Sequence, residues 1–404
     1  MATVLFCPAM FNLAETTRMI EVARALHPRH RAVFLGYESD YVSLVDDAGF
    51  EYRAGTPAWS AAERRQALAF DQGCSWRSPF SRDLVTARVT LERCAIRELR
   101  SAVVVTGSNL TSFLSARAEG VPLVYPVPFA LTHPQVTQTR SMGLVDGSGH
   151  LTRALDRVAT AAFRWIYTSA PLAPRAFTTA ARANGVPPLR TMASLLRADH
   201  NLLTVMPWEL DGYQLPADFT RVGPIFAHLD APLPEIARTD RPLVYLGLGS
   251  SADRRLALAA ATALGTLDVD VIAPIGHYLS PGDVVPANVR VTPLLPAHRL
   301  GGLVDAAVLH GGQGTVQTAC ATGVPFVGIG LQPEQTWNVR QCVRRGNAIG
   351  VSPKAVSSAA FVAAVERVIS DPAVRAAAEQ VRREYAGQDG AAATARVVEG
   401  LLPA

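Results

Sequence analysis

Apolar residues along the chain alternate between two spacings, and this alternation predicts an α/β fold. A short continuous apolar run, as in a buried strand, occupies 3–9, and apolar residues recur every three or four positions in 15–26, as on one face of a helix. Further strand-like runs occupy 31–36, 101–107 and 122–127. Gly120 is predicted to end the helix between the last two. Strands of this kind between amphipathic helices are typical of a parallel sheet covered on both faces.

The same alternation starts again after a segment that lacks it. Residues 222–242 are rich in proline and show no periodicity, which is typical of a linker. Strands are then predicted at 243–249, 269–276, 289–294 and 305–310. We therefore expect two Rossmann-like domains with doubly wound parallel sheets that face a cleft, where ligands bind at the carboxyl ends of the strands. The predicted boundaries are an N-terminal domain at 1–223, a linker at 224–241, a C-terminal domain at 242–384 and a final helix at 385–404 that packs back on the N-terminal domain.

Composition and charge exclude several classes of protein. The 404 residues carry a net charge of +4 from scattered acidic and basic side chains, so no basic patch for nucleic acid is expected. The five cysteines are widely spaced without a CxxC pair, which argues against a disulfide framework or a zinc site and favours a reducing cytoplasm. No apolar run reaches the ~18 residues that a membrane span requires, so we expect no stable membrane insertion. The abundance of Ala and Arg over Lys indicates a bacterial source.

A glycine-rich turn at 310–315, with the sequence HGGQGT, carries the strongest chemical signal. It follows a predicted strand and opens a helix near Thr315. The free N–H groups at a helix N-terminus and the helix dipole favour an anion there, and Gly312 and Gly314 allow a phosphate to approach the backbone. His310 and Thr315 can each donate a side-chain hydrogen bond to a phosphate oxygen. The turn alone also fits a strand-to-helix connection that binds no ligand.

Further motifs around this turn carry a family resemblance. Two pieces follow the turn: GVP at 323–325 and EQTWN at 334–338. Two pieces precede it: a predicted strand that ends in a serine pair at 243–251, and LLPA at 294–297. Together with HGGQGT, these pieces resemble the UDP-glycosyltransferase superfamily, whose C-terminal halves carry HGGxGT, GVP and DQxxNA in this order. The resemblance covers most of the C-terminal half. It implies a GT-B architecture, in which the N-terminal domain binds the acceptor and the C-terminal domain binds a nucleotide-sugar donor.

The resemblance also implies roles for individual residues of the C-terminal half. The diphosphate would be held by Ser250, His310, Gly312, Gly314 and Thr315. The rest of the donor would be contacted by Leu295 (nucleobase, through its backbone), Glu334 and Gln335 (sugar hydroxyls) and Asn338 (phosphate side). Fixed hydrogen-bond donors aimed at a leaving diphosphate stabilise the charge of the transition state more than that of the ground state.

Three departures from the family pattern concern the donor. Glu334 replaces the usual Asp, and the added methylene is compatible with a different donor sugar. Ala297 replaces the usual Gln, and Leu294 stands where an aromatic residue often stacks on the base. Uridine and thymidine therefore both stay open as the nucleobase.

The N-terminal half lacks the histidine that many family members use as the general base after their first strand. Alignment of the helix at 20–26 places Glu15 at that position. Glu15 is either the base that takes the acceptor's proton, which requires a dry cleft, or an acid that favours the dipole in the first turn of a helix. Ser108 or Asn109 stands where the family's orienting Asp is expected. A subgroup that uses no side-chain base also fits the sequence.

We therefore expect an inverting, metal-independent glycosyltransferase of the hexosyltransferase type. It would move a sugar from a UDP- or dTDP-sugar to a small, largely apolar acceptor, by analogy a bacterial natural product such as an antibiotic. We expect no cofactor besides this co-substrate, no metal and no nucleic-acid partner, and a homodimer is compatible with the sequence. Two alternatives stay open: a non-catalytic nucleotide-sugar-binding protein that supports another transferase, and a nucleotide-sugar epimerase on the same scaffold.

Overall fold

The computed structural model of the protein describes residues 1–403 except 39, 72–74, 76, 146, 148, 230 and 234–238. Cys74 and part of the predicted linker at 224–241 therefore lie outside the described residues. The chain divides into two compact units, which we call the N-unit (Met1–Ile225 with Asp389–Ala404) and the C-unit (Phe226–Gln388).

The N-unit is built on a seven-stranded parallel sheet. Its strands are β1 (Thr3–Cys7), β2 (Arg31–Gly36), β3 (Glu51–Ala54), β4 (Ser101–Thr106), β5 (Leu123–Val127), β6 (His200–Leu203) and β7 (Phe219–Arg221). Their order in the sheet is β3-β2-β1-β4-β5-β6-β7. The strand order therefore reverses between β1 and β4, and in open parallel sheets ligands bind at such a switch point.

Helices cover this sheet. They are α1 (Leu13–Leu26), α2 (Val42–Asp47), α3 (Ala61–Asp71), α4 (Arg82–Leu99), α5 (Ser112–Glu119), α6 (His133–Gln138), α7 (His150–Thr168), α8 (Arg175–Ala183) and α9 (Met192–Leu195), with a 3₁₀ turn at Pro207–Leu210. Asn12 caps α1 by accepting hydrogen bonds from the N–H groups of Ala14 and Glu15. Gly120 ends α5 in the left-handed conformation, with φ +65°, as predicted.

The C-unit repeats the same plan with six strands. They are β8 (Leu243–Gly247), β9 (Asp270–Ala273), β10 (Val289–Val291), β11 (Ala306–Leu309), β12 (Phe326–Gly328) and β13 (Ala348–Gly350), in the order β10-β9-β8-β11-β12-β13. Its helices are α10 (Arg254–Leu264), α11 (Gln313–Thr322), α12 (Pro333–Arg345), α13 (Ala359–Ser370) and α14 (Pro372–Tyr385), with 3₁₀ turns at Gly276–Tyr278, Ala297–Arg299 and Pro353–Ala355. All described strand pairs are parallel. The two sheets confirm the predicted fold class, and the switch point of this unit lies between β8 and β11.

Several strands are shorter than their apolar runs predict. The runs at 3–9, 269–276 and 289–294 give strands that end at Cys7, Ala273 and Val291. In each case a proline follows within two residues, at Pro8, Pro274 and Pro293. Proline has no N–H group to continue the ladder of hydrogen bonds, so the strand ends there although the apolar run continues.

The end of the chain forms two helices that belong to different units. α14 ends at Tyr385 in the C-unit, and after Gly387, which has φ +77°, the last helix α15 (Gly390–Gly400) packs against α1 of the N-unit. Ala395 and Val398 are buried in the same apolar cluster as Met19. None of the described helices combines the length and the apolar character that a bilayer crossing needs.

Candidate functional site

Three loops of the C-unit meet at one edge of its sheet. They follow β8, β11 and β12, which are neighbours in the sheet, and parallel strands bring their carboxyl ends to the same edge. Asn338 Nδ2 on α12 donates to the carbonyl of Gly311 after β11 at 3.0 Å. Gln335 Nε2, also on α12, donates to Ser251 Oγ after β8 at 3.0 Å. The structure thus joins the glycine-rich turn, the first turn of α12 and the β8 loop.

The turn between β11 and α11 needs glycine for reasons of backbone and packing. Gly311 has φ +90°, and a Cβ there would lie 2.8 Å from the carbonyl oxygen of Gln335. A Cβ on Gly312 would lie 2.3 Å from His310 Nε2. At Gly314, by contrast, a Cβ would meet nothing within 4 Å. Internal packing therefore explains the first two glycines, while Gly314 borders open space.

The N-terminus of α11 faces this open space without a side-chain cap. Gly312 is the N-cap residue, and as a glycine it has no side chain that could cap the first turn. Gly314 in that turn is exposed. Thr315 Oγ1 donates to the carbonyl of Gly312 at 2.9 Å, so its hydroxyl lies at the mouth of the turn. A helix start of this kind keeps the partial positive charge that attracts an anion.

His310 is buried, with 7% of its surface exposed, and its ring position fixes its tautomer. Nδ1 lies 3.2 Å from the carbonyl oxygen of Gly247, and a carbonyl can only accept, so Nδ1 carries the hydrogen. Burial lowers the pKa of His310 below its usual value. In the neutral ring Nε2 is therefore an acceptor, and it can donate to a phosphate oxygen only after the ring takes up a proton.

The first turns of α12 carry the predicted sugar-binding residues. Asn338 Nδ2 donates to Glu334 Oε1 at 2.6 Å as well as to the carbonyl of Gly311. Asn338 thereby fixes the Glu334 carboxylate relative to the glycine-rich turn. Gln335 is buried, and its Oε1 accepts from the N–H of Leu331 at 3.1 Å while Nε2 donates to Ser251. The second hydrogen of Nε2 is the one that a sugar hydroxyl can accept.

Two further predicted residues lie on flanking segments of the C-unit. Ser250 is exposed in the loop after β8. Leu295 is buried just before the 3₁₀ turn Ala297–Arg299, which packs against α11, whereas Leu294 is 54% exposed.

Sequence reasoning missed the residues that hold the β8 loop. Tyr278 Oη donates to the carbonyl of Gly249 at 2.7 Å and accepts from the N–H of Ala252 at 3.2 Å. His277 Nε2 lies 3.1 Å from the same carbonyl of Gly249. The sequence shows this aromatic pair a few residues after β9 ends at Ala273, but such a pair does not indicate which loop it will contact.

In the N-unit, Glu15 lies at the switch point between β1 and β4. Its Oε2 accepts from the backbone N–H of Ser108 at 2.8 Å and of Ala9 at 3.3 Å, and its Oε1 accepts from Ser108 Oγ at 2.5 Å. A Cβ on Gly107 would lie 2.1 Å from Glu15 Oε2, so this glycine makes room for the carboxylate. Of the two residues predicted beside Glu15, Ser108 contacts it.

Asn109 belongs to a different polar cluster behind this edge. Its Nδ2 donates to Glu92 Oε1 at 3.1 Å, and the same carboxylate accepts from Thr111 Oγ1 and Tyr37 Oη at 2.6 and 2.8 Å. Burial raises the pKa of Glu92. No local sequence pattern indicates this buried carboxylate, because Glu92 lies on α4 while its partners come from α5 and from the loops after β2 and β4.

Metal-ligating side chains do not gather in the part of the chain that the structure describes: no three of its His, Cys, Asp or Glu residues are placed to hold an ion together.

Comparisons with known proteins show what the chain is similar to. Residues 259–401 match the family described as "Erythromycin biosynthesis protein CIII-like, C-terminal domain". A "PGL/p-HBAD biosynthesis glycosyltransferase" of Mycobacterium tuberculosis is 25% identical over 397 residues, which cover 95% of this chain and 88% of the relative. The solved structure of the "Glycotransferase of kitacinnamycin" superimposes with a TM-score of 0.72 at 20% identity over 100% of this chain and 99% of its own.

A second solved structure was determined with a nucleotide. It is "glycosyltransferase VinC in complex with DTDP", with a TM-score of 0.66 at 20% identity over 99% of this chain and 98% of its own. At such identities the structures show the shared GT-B fold, while the relatives in sequence are glycosyltransferases by name. The chain is therefore a glycosyltransferase of the natural-product GT-B type, and these findings support the UDP-glycosyltransferase superfamily as its family.

Proposed function

We propose that the protein transfers a sugar from a UDP- or dTDP-sugar to a small, largely apolar acceptor, with inversion at the anomeric carbon and without a metal ion. The observation that carries this proposal is the start of α11, where the N-cap residue Gly312 has no side chain to cap the helix. It borders open space at Gly314 and lies beside His310 and the first turns of α12.

The donor's diphosphate would bind at this helix start. Backbone N–H groups of the first turn of α11 would donate to it, and the helix dipole favours the negative charge. The Thr315 hydroxyl, which donates to the carbonyl of Gly312 in the free protein, would turn to donate to a phosphate oxygen instead. When the bond between the sugar and the diphosphate breaks, charge grows on the leaving oxygen, so these fixed donors stabilise the transition state most. The complex of VinC with dTDP supports a thymidine nucleotide, and exposed Leu294 is compatible with either base.

His310 would strengthen this site by changing its protonation. A diphosphate beside Nε2 raises the pKa of a ring that burial holds low in the free protein. Binding therefore takes up a proton, and the resulting imidazolium donates from Nδ1 to Gly247 and from Nε2 to phosphate. The positive charge of the imidazolium then stabilises the negative charge that develops on the leaving diphosphate.

The sugar would be held by Glu334 and Gln335. The carboxylate can accept from two vicinal hydroxyls, and the Gln335 amide can donate to a neighbouring one. Asn338 ties Glu334 to the carbonyl of Gly311, so the sugar-binding and phosphate-binding groups keep a fixed separation. This fixed separation places the anomeric carbon for attack.

For the acceptor, we assign the general base to Glu15 and its orientation to Ser108. The acceptor's oxygen attacks the anomeric carbon on the face opposite the diphosphate, the carbon–oxygen bond to the diphosphate breaks, and its electron pair leaves with the nucleotide. The acceptor's proton passes to Glu15 Oε1, which accepts one hydrogen bond from Ser108 and retains a second lone-pair direction. The N–H groups of Ala9 and Ser108 hold Oε2 in place.

An apolar acceptor fits the aromatic residues that follow β1 and β3 in the N-unit. Phe11, Trp59 and Phe80 form a chain of ring contacts with centroids 5.7 and 5.2 Å apart. They pack on the apolar cluster that contains Phe177. Aromatic walls of this kind bind flat or apolar molecules with little loss of side-chain entropy.

The test is to incubate the protein with UDP-glucose or dTDP-glucose and a panel of phenolic acceptors, and to identify products by mass spectrometry and proton NMR. We expect a sugar adduct with the inverted anomeric configuration, formed at the same rate in the presence of EDTA. Retained configuration or loss of the rate with EDTA would contradict the inverting or the metal-independent part. Tight nucleotide binding without any adduct would contradict the transfer itself, and an altered sugar without acceptor would identify an epimerase.

A further inference from the structure

Helix α7 of the N-unit turns its most apolar face to solvent. The exposed fractions are 75% for Leu151, 51% for Leu155, 69% for Val158 and 63% for Trp165. With exposed Ala162 between the last two, these residues recur at spacings of four, three, four and three. That spacing places them in one straight line along a helix and is the pattern that helices use to pack on each other. We call this line the α7 seam.

The opposite face of α7 fixes the helix in this orientation through polar contacts. Buried Asp156 accepts from the backbone N–H groups of Gly143 at 3.2 Å and Val145 at 3.1 Å. Buried Thr160 accepts from the N–H of Met142 at 3.0 Å. A rotation that hid the seam would strip these buried groups of their donors. The fold therefore places polar residues inward and the apolar seam outward.

The seam carries no charge, and one of its borders is formed by small residues. Ala154 and Ala161 flank it on one side, and all the seam residues are apolar. Arg153 and Arg157 lie about 100° or more around the helix from the seam's midline, since each residue turns the helix by about 100°. A second helix can therefore approach the seam over its alanine border without meeting like charges.

The order of residues along the seam is complementary to itself. Val158 is its middle residue, and an antiparallel copy centred there places Leu151 opposite Trp165 and Leu155 opposite Ala162. A twofold axis at Val158 generates both halves of this contact from one surface, as isologous dimers require. The four large side chains offer an exposed apolar area on the order of 500 Å², so two copies would bury about 1,000 Å² through these side chains alone, which reaches the lower bound of about 1,000 Å² for a biological interface.

We infer that a second copy of this chain covers the α7 seam, in an antiparallel helix pair with its twofold axis at Val158. The inference goes beyond the proposed function, since no donor- or acceptor-binding residue takes part in it.

The first experiment compares the wild-type chain with Val158→Arg by sedimentation equilibrium. We expect a dimer of twice 43.1 kDa for the wild type and at least a tenfold weaker dimer for the variant, because two arginines meet at the axis. Val284→Arg is the matched control, since Val284 is 83% exposed in the C-unit, and it should stay dimeric. Both variants are then diluted until each is monomeric, and their thermal unfolding midpoints are compared. Equal midpoints show that Val158→Arg is as well folded as Val284→Arg. A monomeric wild type, or a dimer unaffected by Val158→Arg, would overturn the inference.

The second experiment tests the axis by cross-linking, in a chain with Cys74→Ser and Cys94→Ser. Val158→Cys should form a disulfide-linked dimer on mild oxidation, because each thiol faces its symmetry copy, while Val284→Cys should stay monomeric on a denaturing gel. Equal cross-linking of the two variants would refute the axis. Sedimentation of a monomeric chain with phosphatidylglycerol vesicles, lost in Val158→Arg, would assign the seam to a lipid surface and overturn the dimer.

Discussion

The N-unit and the C-unit both present backbone N–H groups at the switch point of a parallel sheet. They differ in whether side chains of the protein accept hydrogen bonds from these groups. At the switch point of the N-unit, the protein supplies its own acceptors: Asn12 caps α1, and the Glu15 carboxylate binds the N–H groups of Ala9 and Ser108. At the switch point of the C-unit, the first turn of α11 begins at Gly312 and receives no side-chain cap. An anion site arises where a fold leaves the donors of a helix start to a ligand, and a carboxylate site arises where it fills them.

The largest expected effect concerns Glu15, whose carboxylate accepts the hydrogen bonds at the switch point of the N-unit. Glu15→Gln keeps an oxygen for the two backbone N–H donors and an amide that can donate to Ser108 Oγ, so the fold should persist. Without a base, kcat should fall by about 10²–10⁴-fold, while the affinity for nucleoside diphosphate stays unchanged. Steady-state kinetics with calorimetry measures both. A fully active Glu15→Gln variant would remove Glu15 from the mechanism and leave it a purely structural acid.

The next effect distinguishes the roles of two glycines, Gly311 and Gly314, in the turn between β11 and α11 of the C-unit. Gly311→Ala should destabilise the C-unit by about 2–3 kcal/mol, since alanine is strained at φ +90° and its Cβ overlaps the carbonyl of Gln335. Gly314→Ala should leave stability equal or up to about 1 kcal/mol higher, because alanine favours a helix, but should weaken nucleotide binding. Thermal unfolding with and without dTDP distinguishes them. Equal nucleotide affinity in Gly314→Ala would place the phosphates elsewhere.

A smaller effect is expected at Thr315. Thr315→Ala should weaken the binding of nucleoside diphosphate by about 1–2 kcal/mol, as the loss of a hydrogen bond to a charged group implies. Thr315→Ser keeps the hydroxyl and is the matched control, with affinity close to that of the wild type. Isothermal titration calorimetry measures the difference. Unchanged affinity in Thr315→Ala would refute a contact between this hydroxyl and the diphosphate.

The smallest effect is the pH dependence of binding through His310. Burial lowers its pKa in the free protein, and a bound diphosphate raises it, so binding takes up a proton at pH values between the two. Affinity should therefore fall as pH rises through the bound-state pKa, by less than about 1.4 kcal/mol per pH unit. His310→Gln should lose this slope and keep only the slope of the ligand's own phosphate. Identical slopes for the two proteins would show that His310 stays neutral.

The sequence predicts strands, turns and helix starts, which depend on neighbouring residues. It does not predict the contacts between residues that are far apart in the chain. The run at 31–36 gives β2 without change, and the motif at 310–315 gives a strand end, a turn and a helix start. By contrast, Ser108 and Glu15 are 93 positions apart and Gln335 and Ser251 are 84 apart. Such pairs form because strand order brings distant loops to one edge, and strand order is a property of the sheet rather than of any local pattern.

The central claim is that backbone N–H groups at the start of α11 bind the donor's diphosphate. A crystal structure of the chain with dTDP or UDP tests it most directly. We predict phosphate oxygens within hydrogen-bond distance of the N–H groups in 313–315, with His310 Nε2 donating to one of them. A nucleotide bound with its phosphates away from this turn, at full occupancy, would contradict the claim.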